Sequence, residues 1–216
     1  GFEDMVAVAI GADLCAVQEA ADFMKEVPNE HPWLGTSCCP AWSVMAKKTY
    51  PEYADCISMA LTPMVLTGRM TKKQHPDCKV VFIGPCAAKK LEASRKSVRS
   101  DIDFVLTFEE MMGIFDAKNI EFDKLEVEEP LNTSSSLGKG FAASGGAPAV
   151  VNAINCLEPE REVKTVKAEG LKECKTMLAK AKAGMYDGYL LEGMACPGGC
   201  MGGAGVLADV RKATMG

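Results

Sequence analysis

Five of the ten cysteines in this 216-residue chain, Cys38, Cys39, Cys86, Cys196 and Cys200, lie in turns containing proline or glycine, where a backbone can wrap a metal centre. The turns read Thr36-Ser37-Cys38-Cys39-Pro40-Ala41-Trp42, Gly84-Pro85-Cys86-Ala87-Ala88-Lys89-Lys90 and Glu192-Gly193-Met194-Ala195-Cys196-Pro197-Gly198-Gly199-Cys200. Adjacent side chains point in different directions and a vicinal disulfide is strained, so only one of Cys38 and Cys39 reads as a ligand. A thiolate at Cys86, between a strand and a helix, gains from the helix N-terminal dipole and the nearby lysines. Glycines in the third turn let backbone N–H groups approach a bulky anionic group. Cys39, Cys86, Cys196 and Cys200 then form a four-thiolate set that suits zinc or an iron–sulfur cluster. Spacing alone does not choose. A zinc ribbon pairs CxxC knuckles, whereas two of these ligands are single and widely separated, which favours iron–sulfur.

Cys15, Cys56, Cys78, Cys156 and Cys174 sit singly in apolar or helical patterns and read as small buried hydrophobes. A disulfide scaffold would be shorter and poorer in helix-forming segments. The net charge of −5 leaves no basic face for nucleic acid. No apolar stretch is long enough to span a membrane and the N-terminus has no signal pattern, so the expected location is cytoplasmic. The run 5–10 reads as a buried strand. A helix capped by Asp13 follows, with Leu14, Val17, Ala21 and Met24 on its apolar face, until Pro28 stops it. Further strands are expected at 79–83, 103–108 and 186–191, and helices at 40–48, 108–115, 144–155 and 171–183. The alternation predicts an α/β fold, with mostly parallel sheets and flanking helices in two lobes around a central iron–sulfur site. The chain reads as one domain over 1–216, with a surface loop or lobe boundary near 126–140.

Together the three cysteine turns resemble the H-cluster signatures of the iron-only ([FeFe]) hydrogenases, commonly TSCCPxW, PCxxKKxE and ExMxCPGGCxxGGG, and the resemblance covers 11–205. It implies reversible oxidation of H2 to protons and electrons at an H-cluster. Cys39, Cys86, Cys196 and Cys200 would hold a [4Fe-4S] cluster, and Cys200 would bridge to a [2Fe] subcluster carrying CO, cyanide and azadithiolate. Lys89 matches the family's cyanide-contacting lysine. Met194, Phe141, Ser144, Gly84 and Pro85 match residues around the two-iron unit. Cys38 matches the proton-passing cysteine. Glu19 and Asp22 match two acidic relay positions, with an ordinary solvated helix face as the plain alternative. Thr62 is the candidate intervening hydroxyl. His31 and His75 lie in polar loops, which disfavours hydrolase chemistry.

Some positions depart from the family. Gly84 stands where a methionine is common, so that side is expected to be more open. Ala41 replaces a glycine, Met64 and Val65 follow Pro63 where polar residues are common, and the last glycine loop ends Gly202-Gly203-Ala204-Gly205-Val206. These variants look more like the divergent, sensory branch. Family catalytic domains begin earlier and continue further, so the chain reads as a fragment or miniature member. No cysteine array for accessory clusters is present, so electrons are expected to pass to a ferredoxin-like partner or an accessory iron–sulfur domain, and maturation proteins to supply the two-iron unit. The competing readings are a hydrogen-sensing regulator and a non-catalytic Nar1-type iron–sulfur assembly protein.

Overall fold

A computed structural model describes residues 1–126, 134–143 and 145–213. Its α-helices are α1 (Ala9–Glu26), α2 (Pro40–Thr49), α3 (Pro63–Gln74), α4 (Ala88–Ala93), α5 (Phe108–Ala117), α6 (Ser136–Gly140), α7 (Gly146–Leu157), α8 (Leu171–Lys182) and α9 (Val210–Ala213). The strands are β1 (Leu34–Gly35), β2 (Val81–Gly84), β3 (Phe104–Thr107), β4 (Lys164–Glu169) and β5 (Tyr189–Met194). They form two parallel sheets, β1-β5-β4 and β2-β3. Parallel neighbours need crossover connections, and the helices supply them, so the α/β expectation holds. The pairing Leu34↔Leu190 joins a strand before the 126–140 segment to one after it. Residues 127–133 of that segment lie outside the described residues, and Ser136–Gly140 is helix α6 where a loop was expected.

The run 5–10 is not a strand. Helix α1 starts at Ala9, with Val8 as an N-cap that makes no side-chain bond. Asp13 lies inside the helix and accepts the backbone N–H of Ser135 at 2.9 Å. The buried face also differs from the expected one. Gly11, Ala12, Cys15, Ala16, Glu19, Ala20 and Phe23 are buried, whereas Leu14 and Val17 are 42% and 55% exposed. Small residues face inward because α1 is pressed between α3 and α7. A Cβ at Gly11 would lie 2.3 Å from the Pro63 carbonyl oxygen. Apolar size is therefore a poor guide to burial in this helix. Periodicity does not pick out α3 or β4, and β4 is a mostly exposed edge strand whose sequence, with Lys164, Lys167 and Glu169, shows no clean alternation.

Every cysteine turn begins just beyond the carboxyl end of a parallel strand: Cys38 and Cys39 after β1, Cys86 after β2, Cys196 and Cys200 after β5. The first and third turns are held together by Trp42, which is fully buried and donates its indole N–H to the Thr36 carbonyl at 3.0 Å. Its ring lies flat on Gly193 of β5, where a Cβ would come within 2.1 Å. Cys15, Cys56 and Cys174 are buried as expected, but Cys156 is exposed and Cys78 half-buried. No helix among the described residues is long and apolar enough to cross a membrane. Gly193→Ala must displace Trp42 and is expected to lower unfolding stability by about 1–3 kcal/mol in urea titrations, as overpacking does. An unchanged midpoint would show that the ring does not depend on that glycine.

Candidate metal centre

Backbone geometry brings the three turns to one place. Cys39 caps α2 with Pro40 in the first helical turn, and the Ala195 N–H points at its Sγ at 3.5 Å. Gly198 and Gly199 have φ of 79° and 64°, a left-handed turn between Cys196 and Cys200 that side chains rarely adopt. The Gly205 N–H donates to the Pro85 carbonyl at 2.9 Å, and a Cβ at Gly203 would sit 2.5 Å from that same oxygen. The glycine-rich end thus closes onto the Cys86 turn.

The four thiols lie within electrostatic reach of one another. Burial pushes Cys200 up to about 12, with Cys39, Cys86 and Cys196 adding to the rise and Lys89 opposing it. Cys196 is raised by burial and then by Cys39 and Cys86. All four are free and partly accessible. Thiols that oppose one another's ionisation are stabilised as thiolates by a shared cationic core. Among the described residues no three His, Cys, Asp or Glu side chains converge closely enough for a single metal ion. Four cysteine thiols and no histidine make a donor set of the kind that iron–sulfur clusters use.

Beside this set is a buried polar line. Lys89 is buried, pairs with Glu92 at 2.7 Å and donates to the Cys38 carbonyl at 3.3 Å. Glu19 is fully buried, so the solvated-face alternative fails for it. Its Oε1 accepts the Ser37 N–H at 2.6 Å and the Ser37 hydroxyl at 2.9 Å. Burial raises its carboxyl from 4.5 to about 7 despite those hydrogen bonds. Burial, then Glu19, pushes the Cys38 thiol well above its ordinary value. Cys15 is raised by the same two causes, so it adjoins this line rather than merely filling core.

Asp22 accepts the Ser58 hydroxyl at 3.1 Å and the Gln18 amide at 2.8 Å. Thr62 is buried as the N-cap of α3, and its hydroxyl makes no hydrogen bond to Glu19 or Asp22. The hydroxyls on the two carboxyl groups are therefore Ser37 and Ser58. Ser37 stands inside the first cysteine motif, whereas Ser58 has no sequence signal beyond its small polar side chain. Two further carboxylates also went unassigned. One is Glu92; the other is Glu192, fully buried, which accepts the Gly146 N–H at 2.8 Å and faces Lys167 at 3.4 Å.

Met194 and Phe141 are buried in the cluster between α1, α7 and β5. Ser144 lies outside the described residues. Gly84 is not the open position expected. The ring of Phe82, on the same face of β2, lies 2.6 Å from where its Cβ would be. Phe82 thus fills the space that the missing side chain would have taken.

The family described as iron only hydrogenase large subunit, C-terminal domain, matches residues 1–204. The chain belongs to that family. Iron hydrogenase 1 of Clostridium pasteurianum is 30% identical over 95% of the chain and 43% of its own length. The periplasmic [Fe] hydrogenase large subunit of Nitratidesulfovibrio vulgaris is 26% identical over 95% of the chain and 59% of its length. The cytosolic Fe-S cluster assembly factor NAR1 of Kluyveromyces lactis is 32% identical over 57% of the chain and 26% of its length. The chain thus spans about half the length of the curated hydrogenases it matches. Its fold superposes on an [FeFe]-hydrogenase variant from Chlamydomonas reinhardtii with a TM-score of 0.79, at 21% identity, covering 100% of this chain and 75% of that one. The iron-only hydrogenase fold is therefore shared well beyond sequence identity.

Glu19 also sets a pH dependence. Its folded carboxyl holds a proton that the unfolded chain releases, so its contribution to stability is complete below about 4.5 and lost as pH rises through about 7. Glu19→Gln should flatten that fall in stability across this window. A protonated carboxyl band in the infrared should titrate near pH 7 in the parent and be absent in the variant. A Glu19 that titrates near pH 4 would contradict its burial.

Proposed function

We propose that this chain is a hydrogen-activating domain catalysing reversible oxidation of H2 to protons and electrons. The carrying observation is the buried line of Cys38, Ser37 and Glu19 beside the four thiols, because a cluster that only stored or passed electrons would need no acid–base groups at its edge. Cys39, Cys86, Cys196 and Cys200 would hold the [4Fe-4S] part of an H-cluster, with Cys200 bridging to the [2Fe] subcluster and its CO, cyanide and azadithiolate ligands. When bound, that group supplies the heterolytic cleavage of H2 and accepts the electrons.

The chain's own residues supply the surroundings. Lys89, its charge held by Glu92, presents N–H donors suited to cyanide. Met194 and Phe141 are buried and would keep water from the two-iron unit, and Ser144, outside the described residues, is assigned there by motif position alone. Gly84 and Pro85 lead into the Cys86 turn, and the Pro85 carbonyl ties that turn to the glycine-rich loop at Gly205. Cys38 hands protons towards Glu19, Asp22 carries them outward, and Ser58 rather than Thr62 is the hydroxyl we place at Asp22. The partners of this reading are H2, protons, maturation proteins and a ferredoxin-like carrier or accessory iron–sulfur domain, in a cytoplasmic setting.

A second reading, a Nar1-type assembly protein, is favoured by the 32% identity over 57% of the chain. A hydrogen sensor would use the same centre with a different output. Maturing the protein with a synthetic two-iron complex distinguishes the enzyme from the assembly protein. Protein-bound CO and cyanide bands should appear in the infrared, and Cys38→Ser should keep those bands while cutting hydrogen turnover by about 100-fold or more, as loss of a positioned acid–base group does. A reconstituted cubane with no such bands would favour the assembly reading, and unchanged turnover would remove Cys38 from the proton route.

A further inference from the structure

Strand β5, the middle strand of its sheet, carries one charged residue, Glu192. Side chains alternate along a strand, so Glu192 shares a face with Leu190 and Met194, which lie in the apolar cluster of α1 and α7, whereas Leu191 packs in the cluster on the other face. A carboxyl group is thus planted among aliphatic side chains, two residues before Met194. It is held at two points. Oε1 accepts the Gly146 N–H at 2.8 Å, and a Cβ at Gly146 would sit 2.8 Å from that oxygen, so the first turn of α7 is bare where the carboxyl group meets it. Oε2 makes no hydrogen bond and faces the ammonium of Lys167, its registered neighbour on β4, at 3.4 Å. Lys167 keeps 39% of its side chain in solvent, so the pair runs from the interior to the sheet edge.

Stability is a weak account of this arrangement. Replacing a buried ion pair by apolar residues is often neutral or stabilising, and an aliphatic side chain between Leu190 and Met194 would complete the face. The Gly146 N–H needs only a neutral acceptor. What a neutral residue would not supply is charge, and that charge reaches Glu19. Burial is the largest cause of the raised Glu19 carboxyl, and Glu192 comes ahead of Asp22 among the charged groups that add to it. The other groups at Glu19 are Ser37 and Cys38 from the first cysteine turn, and Cys15 and Asp22 from its own helix. Helix α7 carries no charged residue, and Arg69 and Lys72 of α3 pair with Asp101 and Asp103.

We propose that Glu192 is a positioning residue for proton transfer: its buried carboxylate, tethered by Lys167, holds a proton resident on Glu19, and Lys167 at the sheet edge sets the strength of that hold. The inference rests on the proton route proposed above. Each time Glu19 gives its proton to the Asp22 side, two buried carboxylates are left facing the same interior, and their repulsion favours uptake of the next proton from Cys38. Glu192 itself neither gains nor loses a proton in this cycle. A charge fixed on the central strand thereby keeps the relay loaded between transfers.

The test is an infrared titration of the Glu19 carboxyl band in protein reconstituted with the cubane alone, so that hydrogen chemistry plays no part. Glu192→Gln keeps an acceptor for the Gly146 N–H and removes the charge, and it should lower the Glu19 midpoint by about half a pH unit or more. Variants of Lys167 give a second reading without touching the core. Lys167→Gln should raise the midpoint and Lys167→Arg should leave it in place. In the Glu192→Gln background the Lys167→Gln shift should vanish, because the lysine acts through Glu192. A midpoint unmoved by Glu192→Gln, as a merely structural Glu192 would give, would overturn the inference. So would a Lys167→Gln shift of equal size with and without Glu192. In fully loaded protein the pH profile of exchange between H2 and D2O should move with the band, and an unmoved profile would separate Glu192 from proton transfer. A shifted band in loaded protein that exchanges no hydrogen at any pH would count against the hydrogenase reading and leave the coupling of Glu192 to Glu19 standing.

Discussion

The contact of Trp42 with Gly193 is the constraint from which the rest of the site follows. The indole can lie against β5 only because that position has no side chain, and its N–H is anchored on Thr36. Trp42 belongs to the first cysteine turn and Gly193 to the strand that launches the third. Their contact, with the β1–β5 pairing, fixes Cys39 relative to Cys196 and Cys200. The Pro85 carbonyl, bonded by Gly205, then locks the second turn onto the third. Cysteines from three turns far apart in sequence are thereby gathered at the strand ends.

Around that geometry the energetics run against ordinary protein design. The site gathers thiols and carboxyl groups whose burial opposes their ionisation, and it includes one buried cation, Lys89, already paired with Glu92. Such groups are costly in a core unless they are neutral, paired or bound to metal. A bound iron–sulfur core would offset the thiol cost, and a protonated Glu19 offsets its own. The same burial that keeps Glu19 neutral brings its titration near neutrality, where a proton can be both taken and released. Stability and proton transfer are thus set by one physical cause.

How much was legible depended on the kind of signal. Turn chemistry was: the Pro- and Gly-bearing cysteine motifs located all three loops, and the α2, α5 and α8 boundaries fell close to their caps and helical periodicity. Burial direction was not. In α1 the large apolar residues Leu14 and Val17 face outward while glycine and alanines face in, because close helix packing selects for small size rather than hydrophobicity. Gly84 shows the same limit in another form, since the ring that fills its place belongs to Phe82, two residues earlier on the strand. Ser58 found Asp22 only through the fold, as no local pattern links a loop serine to a helix carboxylate far away in sequence.

Hydrogen activation by this chain is read most directly from isotope exchange between H2 and D2O, followed by mass spectrometry on protein loaded with the complete iron centre. Heterolytic cleavage beside the Cys38 and Glu19 line should yield HD without any electron partner, and Glu19→Gln should slow its appearance. A fully loaded centre that forms no HD would contradict the assignment of this chain as a hydrogen-activating domain.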